Sequence, residues 1–529
     1  MIADRSPMRR SPLASIALAL ALALALPVRG AALSAQEEAG RAIYEDGRSA
    51  FGDAFAGRMG MGGQAVPGAA VRCANCHGSD GLGRPEGGVR PPDITWSTLT
   101  RAGGHAHEDG RHHPPFDEAA IERALVRGED SAGNRLDPTM PRFDIGPRDL
   151  EALVAYLKRL EHLRDPGVRS DVLRIGTLLP AAGSFAKAGQ AVKGLLRAYF
   201  ERINAAGGIY GRKLELVPRE YASRTEAAVA LRTLASEGDV FALLAPFAAE
   251  IEQELVGVAN AAHMPVVGPL SLLGDDPGSR NAYVFYLLAG VGELAQVLGQ
   301  HVEASRRAHA AVLLYPDEPP WRAQADAIQQ GLAAQGWGRL SRVAFRAGAF
   351  DAEALRRELA LREATSVFVL GPGADLRAIA GMTAAAAQGP LLILVPGPLA
   401  SGAVDLPPAL ARRVLLAYPT LPLDQKPAAL REYAALFRGR ESEAGYQVLQ
   451  VPAYSSAVLL VEMLRRIGRD VTRDKLVAAL ESVQGFDAGL VPALSYNARR
   501  RVGALGGYVV AQDVEWGSYR PVGGFVSLP

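Results

Sequence analysis

Hydrophobic spacing changes character along the chain. Leu13 to Leu26 form an Ala/Leu-rich run with scarcely a polar position. From about residue 37, apolar positions recur at helical spacing, as in Ile121, Ala124 and Leu125, and again in Leu150, Leu153, Val154, Leu157 and Leu160. They predict helices over 37–49 and 117–127 and a last helix entered through Gly146-Pro147, where Pro suits a first turn. The Gly- and Ala-rich residues 58–70 predict a surface loop. After Asp165-Pro166-Gly167 the pattern becomes short apolar runs separated by amphipathic segments. The runs cover 172–179, 214–218, 241–245, 265–268, 310–315, 366–370, 391–395 and 414–417. Alternation of this kind predicts parallel sheets with helices on both faces. So many strands exceed one comfortable sheet and predict two lobes.

Length and charge narrow the picture further. A chain of 529 residues is too long for one core. The near-neutral net charge of +1 leaves no basic stripe for a nucleic acid. Arg5, Arg9 and Arg10 precede the Ala/Leu run, and small residues follow it near Gly30 to Ala35. This is the layout of an export signal over residues 1–35. No Cys stands there to carry a lipid anchor, and no later stretch reads as a membrane span. The mature chain is therefore expected to be soluble in the periplasm.

The only two Cys residues lie in Cys73-Ala74-Asn75-Cys76-His77. Two thiols at this spacing, followed directly by His, suit two thioether bonds to the haem vinyl groups, with the His nitrogen on the iron. A redox dithiol would need a thioredoxin-like strand and helix, which the Gly-rich flanks do not supply. Electron transfer calls for a second axial ligand, and a thioether raises the potential by favouring ferrous iron. Met140 sits between Pro138 and Pro141, in a loop stiffened on both sides. Met59 and Met61, in the Gly-rich segment, are the competing candidates. His105, His107, His112 and His113 cluster before Asp117. Their Gly103-Gly104 and Pro114-Pro115 surroundings read as a solvated loop rather than as a metal site.

Residues 36–165 resemble a class I c-type cytochrome domain. The resemblance rests on Cys73-Ala74-Asn75-Cys76-His77-Gly78, on Pro91-Pro92-Asp93-Ile94, on Met140-Pro141-Arg142-Phe143 and on Leu153-Val154-Ala155-Tyr156-Leu157. It implies a small all-α fold around one covalent haem c, with His77 and Met140 as iron ligands. It also implies a crossing of Gly40 and Tyr44 on the first helix with the last helix near Tyr156.

Residues 172–529 resemble type I periplasmic binding proteins of the branched-chain amino acid receptor kind, the substrate-binding components of ABC transporters. The matching pieces are Ile175-Gly176-Thr177-Leu178-Leu179-Pro180, the segment Ile203-Asn204-Ala205-Ala206-Gly207-Gly208-Ile209-Tyr210-Gly211-Arg212-Lys213-Leu214, Pro265-Val266-Val267-Gly268 and Ala453-Tyr454-Ser455-Ser456-Ala457. The resemblance implies two α/β lobes, a hinge of several crossings and a ligand clamped between the lobes. Carried onto this chain, the family pattern places Ser184, Phe185, Phe247, Ala248, Ala249 and Ser271 in the cleft from the first lobe. From the second lobe it places Trp321, Gly371 to Gly373 and Gly397-Pro398. Two departures stand out: Phe247-Ala248-Ala249 replaces hydroxyls, and Pro396-Gly397-Pro398 replaces an acidic residue. A zwitterion would leave its charges unmatched there, which is costly, so the expected ligand is not a standard amino acid. The expected function of the two halves together is electron transfer joined to a solute-binding domain that senses a ligand or docks a redox partner such as a dehydrogenase. The alternative is a receptor for an ABC permease that carries an accessory haem domain. No catalytic constellation points to an enzyme.

Overall fold

A computed structural model describes residues 33–529 except for 53–54, 60–62, 84–90, 108–109, 164, 238–239, 249–250, 272, 275–279, 304–306, 347, 372–373, 383–391, 400–412, 439–444 and 513–518. The export signal, Met61, Ala249, Pro372 and Gly373 thus lie outside the described residues. The chain divides into two compact units, one ending at Arg164 and one running Asp165–Pro529.

In the first unit, Ser34 opens the first helix, Ala35–Arg41, through a capping box with Glu37. A π-turn over Ala42–Asp46 continues it, and Gly47 ends it. The helix is therefore shorter than the apolar pattern suggests. The last helix, Pro147–Leu160, buries Leu153, Val154, Tyr156, Leu157 and Leu160 on one face. The two helices cross at Gly40, where a Cβ would lie 2.0 Å from the Ala152 carbonyl oxygen and 2.7 Å from Tyr156 Cβ. Only hydrogen fits at that point. Beside it, the Tyr44 and Tyr156 rings meet with centroids 5.5 Å apart. The crossing implied by the resemblance is thus present in atomic detail. The third helix, Glu118–Val126, is capped by Asp117.

The segment 58–70 departs from the expected loop. Ala56–Met59 and Gln64–Pro67 form a hairpin, and Ala56–Met59 also pairs with Arg142–Asp144. Its strands come from backbone pairing with a distant segment, and their side chains are mostly exposed, so no alternation marks them in the sequence.

The second unit holds two α/β lobes. The first is a six-stranded, wholly parallel sheet in the spatial order Val502–Ala504, Val284–Leu288, Val266–Val267, Ala242–Leu244, Val172–Pro180, Lys213–Tyr221. The second runs Arg339–Phe345, Ala310–Pro316, Ala364–Val369, Leu392–Pro396, Val414–Tyr418 in parallel, then turns antiparallel through Gly506–Gln512 and Tyr519–Pro521. The central strands are buried on both faces, as near-continuous apolar runs require. Arg339–Phe345 is an edge strand whose residues are mostly half-exposed, so it carries no such run.

Among the described residues the chain passes between the lobes three times: near Leu288–Val291, between Leu421 and Ala429, and at Ala504–Leu505, where apolar residues change from one lobe's core to the other's. Two of the sequence motifs have visible roles here. Asn204 brackets the turn into the second strand by accepting from Leu214 N–H at 2.7 Å and donating to the Leu214 carbonyl at 2.9 Å. Ser456 on the helix Gln447–Ile467 packs onto Gly268 at the end of its strand. That helix corrects the expectation that no later segment could span a membrane. It is long and apolar enough, but two-thirds of its most apolar stretch is buried in the protein. Its residues Val451, Tyr454, Leu459, Leu460 and Met463 belong to the first lobe's core.

The Gly40 crossing yields a direct test. Gly40→Val places methyl groups where the Ala152 carbonyl stands, an overpacking that costs ~1–3 kcal/mol or more. Thermal unfolding of the first unit should shift down by several degrees, and the yield of haem-loaded protein should fall. An unchanged melting curve would mean that the crossing is looser than described.

Candidate functional site

The haem motif is a single helical turn, Cys73–His77, closed by a hydrogen bond from Gly78 N–H to the Ala74 carbonyl. Spacings of three and four residues put Cys73, Cys76 and His77 on one face of that turn. Neither Cys is in a disulfide; Cys73 is half-buried and Cys76 exposed. A redox dithiol needs a thiolate near neutral pH. Burial pushes the Cys73 thiol the other way, up to about 12.

His77 is buried. Its Nδ1–H donates to the Pro92 carbonyl at 3.1 Å. A carbonyl can only accept, so this bond fixes the tautomer and leaves the Nε2 lone pair for a metal. Burial also lowers the imidazole's proton affinity, outweighing the Pro92 bond and the nearby Asp93 charge. The ring is therefore neutral, as a ligand must be. Asp93 in turn braces this strand of loop by accepting from Thr95 N–H at 2.8 Å and from the Thr98 hydroxyl at 3.2 Å. From the other side, the Tyr44 hydroxyl donates to the Gly78 carbonyl at 2.7 Å and ties the first helix to the motif. The Pro91-Pro92-Asp93-Ile94 stretch thus presents the carbonyl that aims His77.

Met140 is half-buried against the core of the first unit. It ends a turn built on Asp137, whose carbonyl accepts from Met140 N–H at 3.0 Å and whose carboxylate accepts from Thr139 N–H and hydroxyl at 2.9 and 2.7 Å. The Arg142 guanidinium closes over this turn, donating to the Met140 carbonyl and, at 3.3 Å, to the Leu136 carbonyl. Burial lowers the Arg142 pKa while the Asp137 charge opposes the shift. Arg142 belongs to the Met140-Pro141-Arg142-Phe143 motif, but the sequence assigns it no role; in the fold it clasps the turn that carries Met140. Met59, by contrast, is 37% exposed at the end of a strand.

These residues fit a haem c. Two thiols share a face with a neutral, aimed imidazole. Cys73, Ala74, Phe55, Val71, Ile94, Trp96 and Met140 are all half-buried against the same apolar core.

The candidate ligand cleft is less uniform than expected. Ser184 and Phe185 are exposed on the turn before the helix Ala186–Ala205, and the Phe185 ring lies 5.1 Å from that of Phe247. Phe247 and Ala248 are buried at the end of the third strand of the lobe. Trp321 does not stand as an open wall. On the helix Pro319–Ala334 it shares the buried face of Ala325, Ile328 and Leu332 and joins the second lobe's core. At Gly397 a Cβ would sit 2.4 Å from the Tyr418 ring, so that ring occupies the space of the missing acidic side chain.

A carboxylate nevertheless enters from elsewhere. A cavity of about 350 Å³ is lined by Glu252, Val256 and Asn260 from the first lobe and by Pro320, Ala323 and Gln324 from the second. Glu252 and Gln324 are only 8% and 6% exposed. Ser271 donates its hydroxyl to Glu252 Oε1 at 3.2 Å and accepts from Gly274 N–H at 3.2 Å. The departures at Phe247-Ala248-Ala249 and Pro396-Gly397-Pro398 stand, but Glu252 adds a carboxylate that the expected set of cleft residues lacks. The sequence signal was present: Glu252 is the first residue of a helix that follows a strand end. A larger cavity, about 440 Å³, is lined by second-lobe residues alone, beside the edge strand Arg339–Phe345.

Comparison with known proteins agrees with this layout. The family model for periplasmic binding proteins matches residues 172–512, and that for cytochrome c matches residues 61–161. No curated protein matches the chain. Among solved structures, a fatty acid ABC transporter substrate-binding protein from Thermomonospora curvata is similar at 16% identity and a TM-score of 0.52, covering 69% of this chain and 95% of its own. A branched-chain amino acid ABC transporter protein from Thermus thermophilus with bound valine is similar at 16% identity and a TM-score of 0.52, covering 68% and 97%. A type 1 periplasmic binding protein from Bordetella pertussis Tohama I follows at 17% identity and a TM-score of 0.51, covering 66% and 100%. At such identities the likeness speaks for the fold alone. With two lobes of parallel sheet matched over most of the chain, and a haem-binding turn matched ahead of them, the chain belongs to the periplasmic binding protein family and carries an N-terminal cytochrome c domain.

Proposed function

We propose that this protein is a periplasmic electron carrier with one covalent haem c, joined to a domain that binds a small molecule between its lobes. The observation that carries the first half is the buried His77, neutral and aimed by Pro92, on the same helical turn as two unpaired Cys residues. Bound haem supplies one-electron chemistry at its iron. The chain's part is to fix the group through Cys73 and Cys76, to orient His77 through Pro92 and Asp93, and to hold Met140 in the turn clasped by Arg142. Were His77 and Met140 both to hold the iron, substrate or peroxide would find no open position there, which favours a carrier over an enzyme. Both families and the Arg-flanked Ala/Leu segment support action outside the cytoplasm.

For the second half, the cavity carrying Glu252 and Gln324 fits a small, largely apolar molecule that presents a hydrogen-bond donor or an ammonium to Glu252. The lobes would close on it by hinge motion at the three crossings. Ligand sensing or docking of a redox partner is the role favoured for this domain. Delivery to an ABC permease is the second reading, motivated by the transporter proteins that share the fold.

Two outcomes follow. Replacing Met140 with Ala should abolish the weak red absorption band of sulfur-to-iron ligation and lower the reduction potential; an unchanged spectrum and potential would remove Met140 as the ligand. For the cleft, calorimetry of the full chain against leucine, isoleucine, valine and a panel of aromatic acids, alcohols and amines should yield at least one binder. Glu252→Gln should weaken that binder by ~10-fold or more, the size of a lost charge-assisted hydrogen bond. A binder indifferent to Glu252→Gln would place the ligand elsewhere.

A further inference from the structure

Three of the four His residues between 105 and 113 share one face of a two-stranded hairpin. His105 stands opposite His113 in antiparallel register, and Ala106 opposite His112. Alternation along a strand puts His105, His107 and His113 on the same side and turns His112 to the other. The three rings gather accordingly. Centroids are 4.5 Å apart for His105 and His107, 5.1 Å for His107 and His113, and 6.1 Å for His105 and His113. Three imidazoles bound to one tetrahedral ion through nitrogens at ~2.1 Å bring their ring centres to roughly 5 Å from one another.

The nitrogens are prepared as well. His113 is buried, and its Nδ1–H donates to the Pro114 carbonyl at 2.8 Å. The Ser131 hydroxyl also donates to that carbonyl, at 2.6 Å, and lies 3.3 Å from His113 Nδ1. Bonds of this kind orient metal-ligating His residues, because they settle which nitrogen keeps its lone pair. The lone pair falls on His113 Nε2, which lies 3.0 Å from His107 Nε2. The hairpin is anchored to the 130–134 turn: Arg111 pairs with the buried Asp130 at 3.1 Å, and the Asn134 amide donates to the His112 carbonyl at 3.1 Å. The ring arrangement is thus a property of a braced element and not of a solvated loop.

We propose that His105, His107 and His113 form a binding site for a late first-row divalent cation of the zinc class, which neutral imidazole favours. Among the described residues no three such side chains already converge on one point. In the metal-free chain His107 Nε2–H donates to His113 Nε2; a cation takes the place of that proton, His107 keeping its other nitrogen protonated, and the half-buried His105 ring completes the set by rotating about its side-chain bonds. The site shares no residue with the haem motif Cys73–His77.

The test is calorimetric titration of the untagged, haem-loaded, ferric full chain with Zn²⁺. One equivalent should bind saturably. His105→Ala and His107→Ala should each weaken it by at least ~10-fold, whereas His112→Ala, on the opposite face, should leave it unchanged. His113 is buried and its replacement risks unfolding, so the exposed-side variants carry the test. Absence of a saturable equivalent overturns the proposal. So does equal weakening by His112→Ala, or an effect of His107→Ala without one of His105→Ala, which would reduce the cluster to a hydrogen-bonded pair.

Discussion

The first unit depends on one hydrogen bond, from His77 Nδ1–H to the Pro92 carbonyl. Without it, a buried imidazole would be free to flip or to present either nitrogen. With it, Nε2 is the only remaining lone pair, and its direction is set by a backbone group that cannot rotate away. Much of the surrounding construction serves that bond. Asp93 holds the chain that carries Pro92, and Tyr44 holds Gly78 directly after the His. Tyr44 is itself placed by the helix crossing at Gly40, where the first and last helices meet without an intervening side chain. A geometric requirement at one nitrogen thereby reaches back to a missing Cβ near the chain's first described helix.

The second unit answers a different constraint. A parallel sheet buried on both faces leaves its strand ends as the place where polar groups can gather. In the first lobe these ends carry Ser271 and, at the start of a helix, Glu252. Gln324 approaches from the second lobe across the same cavity. A carboxylate buried to this degree is held by hydrogen bonds, as the Ser271 contact shows, because an unsupported charge would be expensive there.

Legibility in the sequence follows the physics of each element. Central strands such as Ala310–Pro316 and Leu392–Pro396 were legible because burial on both faces leaves an unbroken apolar run. The edge strand Arg339–Phe345 and the hairpin at Ala56–Met59 were not, because pairing made by backbone alone leaves no trace in side-chain pattern. The cytochrome c segment was legible because its motif, Cys73, Cys76 and His77, has a fixed spacing. The cleft was legible only in outline. Trp321 is aromatic and near a strand end, yet helical phase turns it into the core; Glu252, which lines the cavity, is marked only by its place at the start of a helix after a strand end, and the fold alone sets it against Pro320 and Gln324. The gathering of His105, His107 and His113 leaves no motif in the sequence, because antiparallel pairing across a turn brings together residues whose local spacing resembles no metal motif.

The electron-carrier role proposed for the first unit rests on covalent haem at the Cys73–His77 turn. Acid–acetone extraction of the purified, denatured protein, followed by intact mass measurement of the chain, tests it directly. The colour should stay with the polypeptide, and the mass should exceed that of the polypeptide by one haem. Release of the haem into the solvent, with Cys73 and Cys76 recovered as free thiols or as a disulfide, would contradict it.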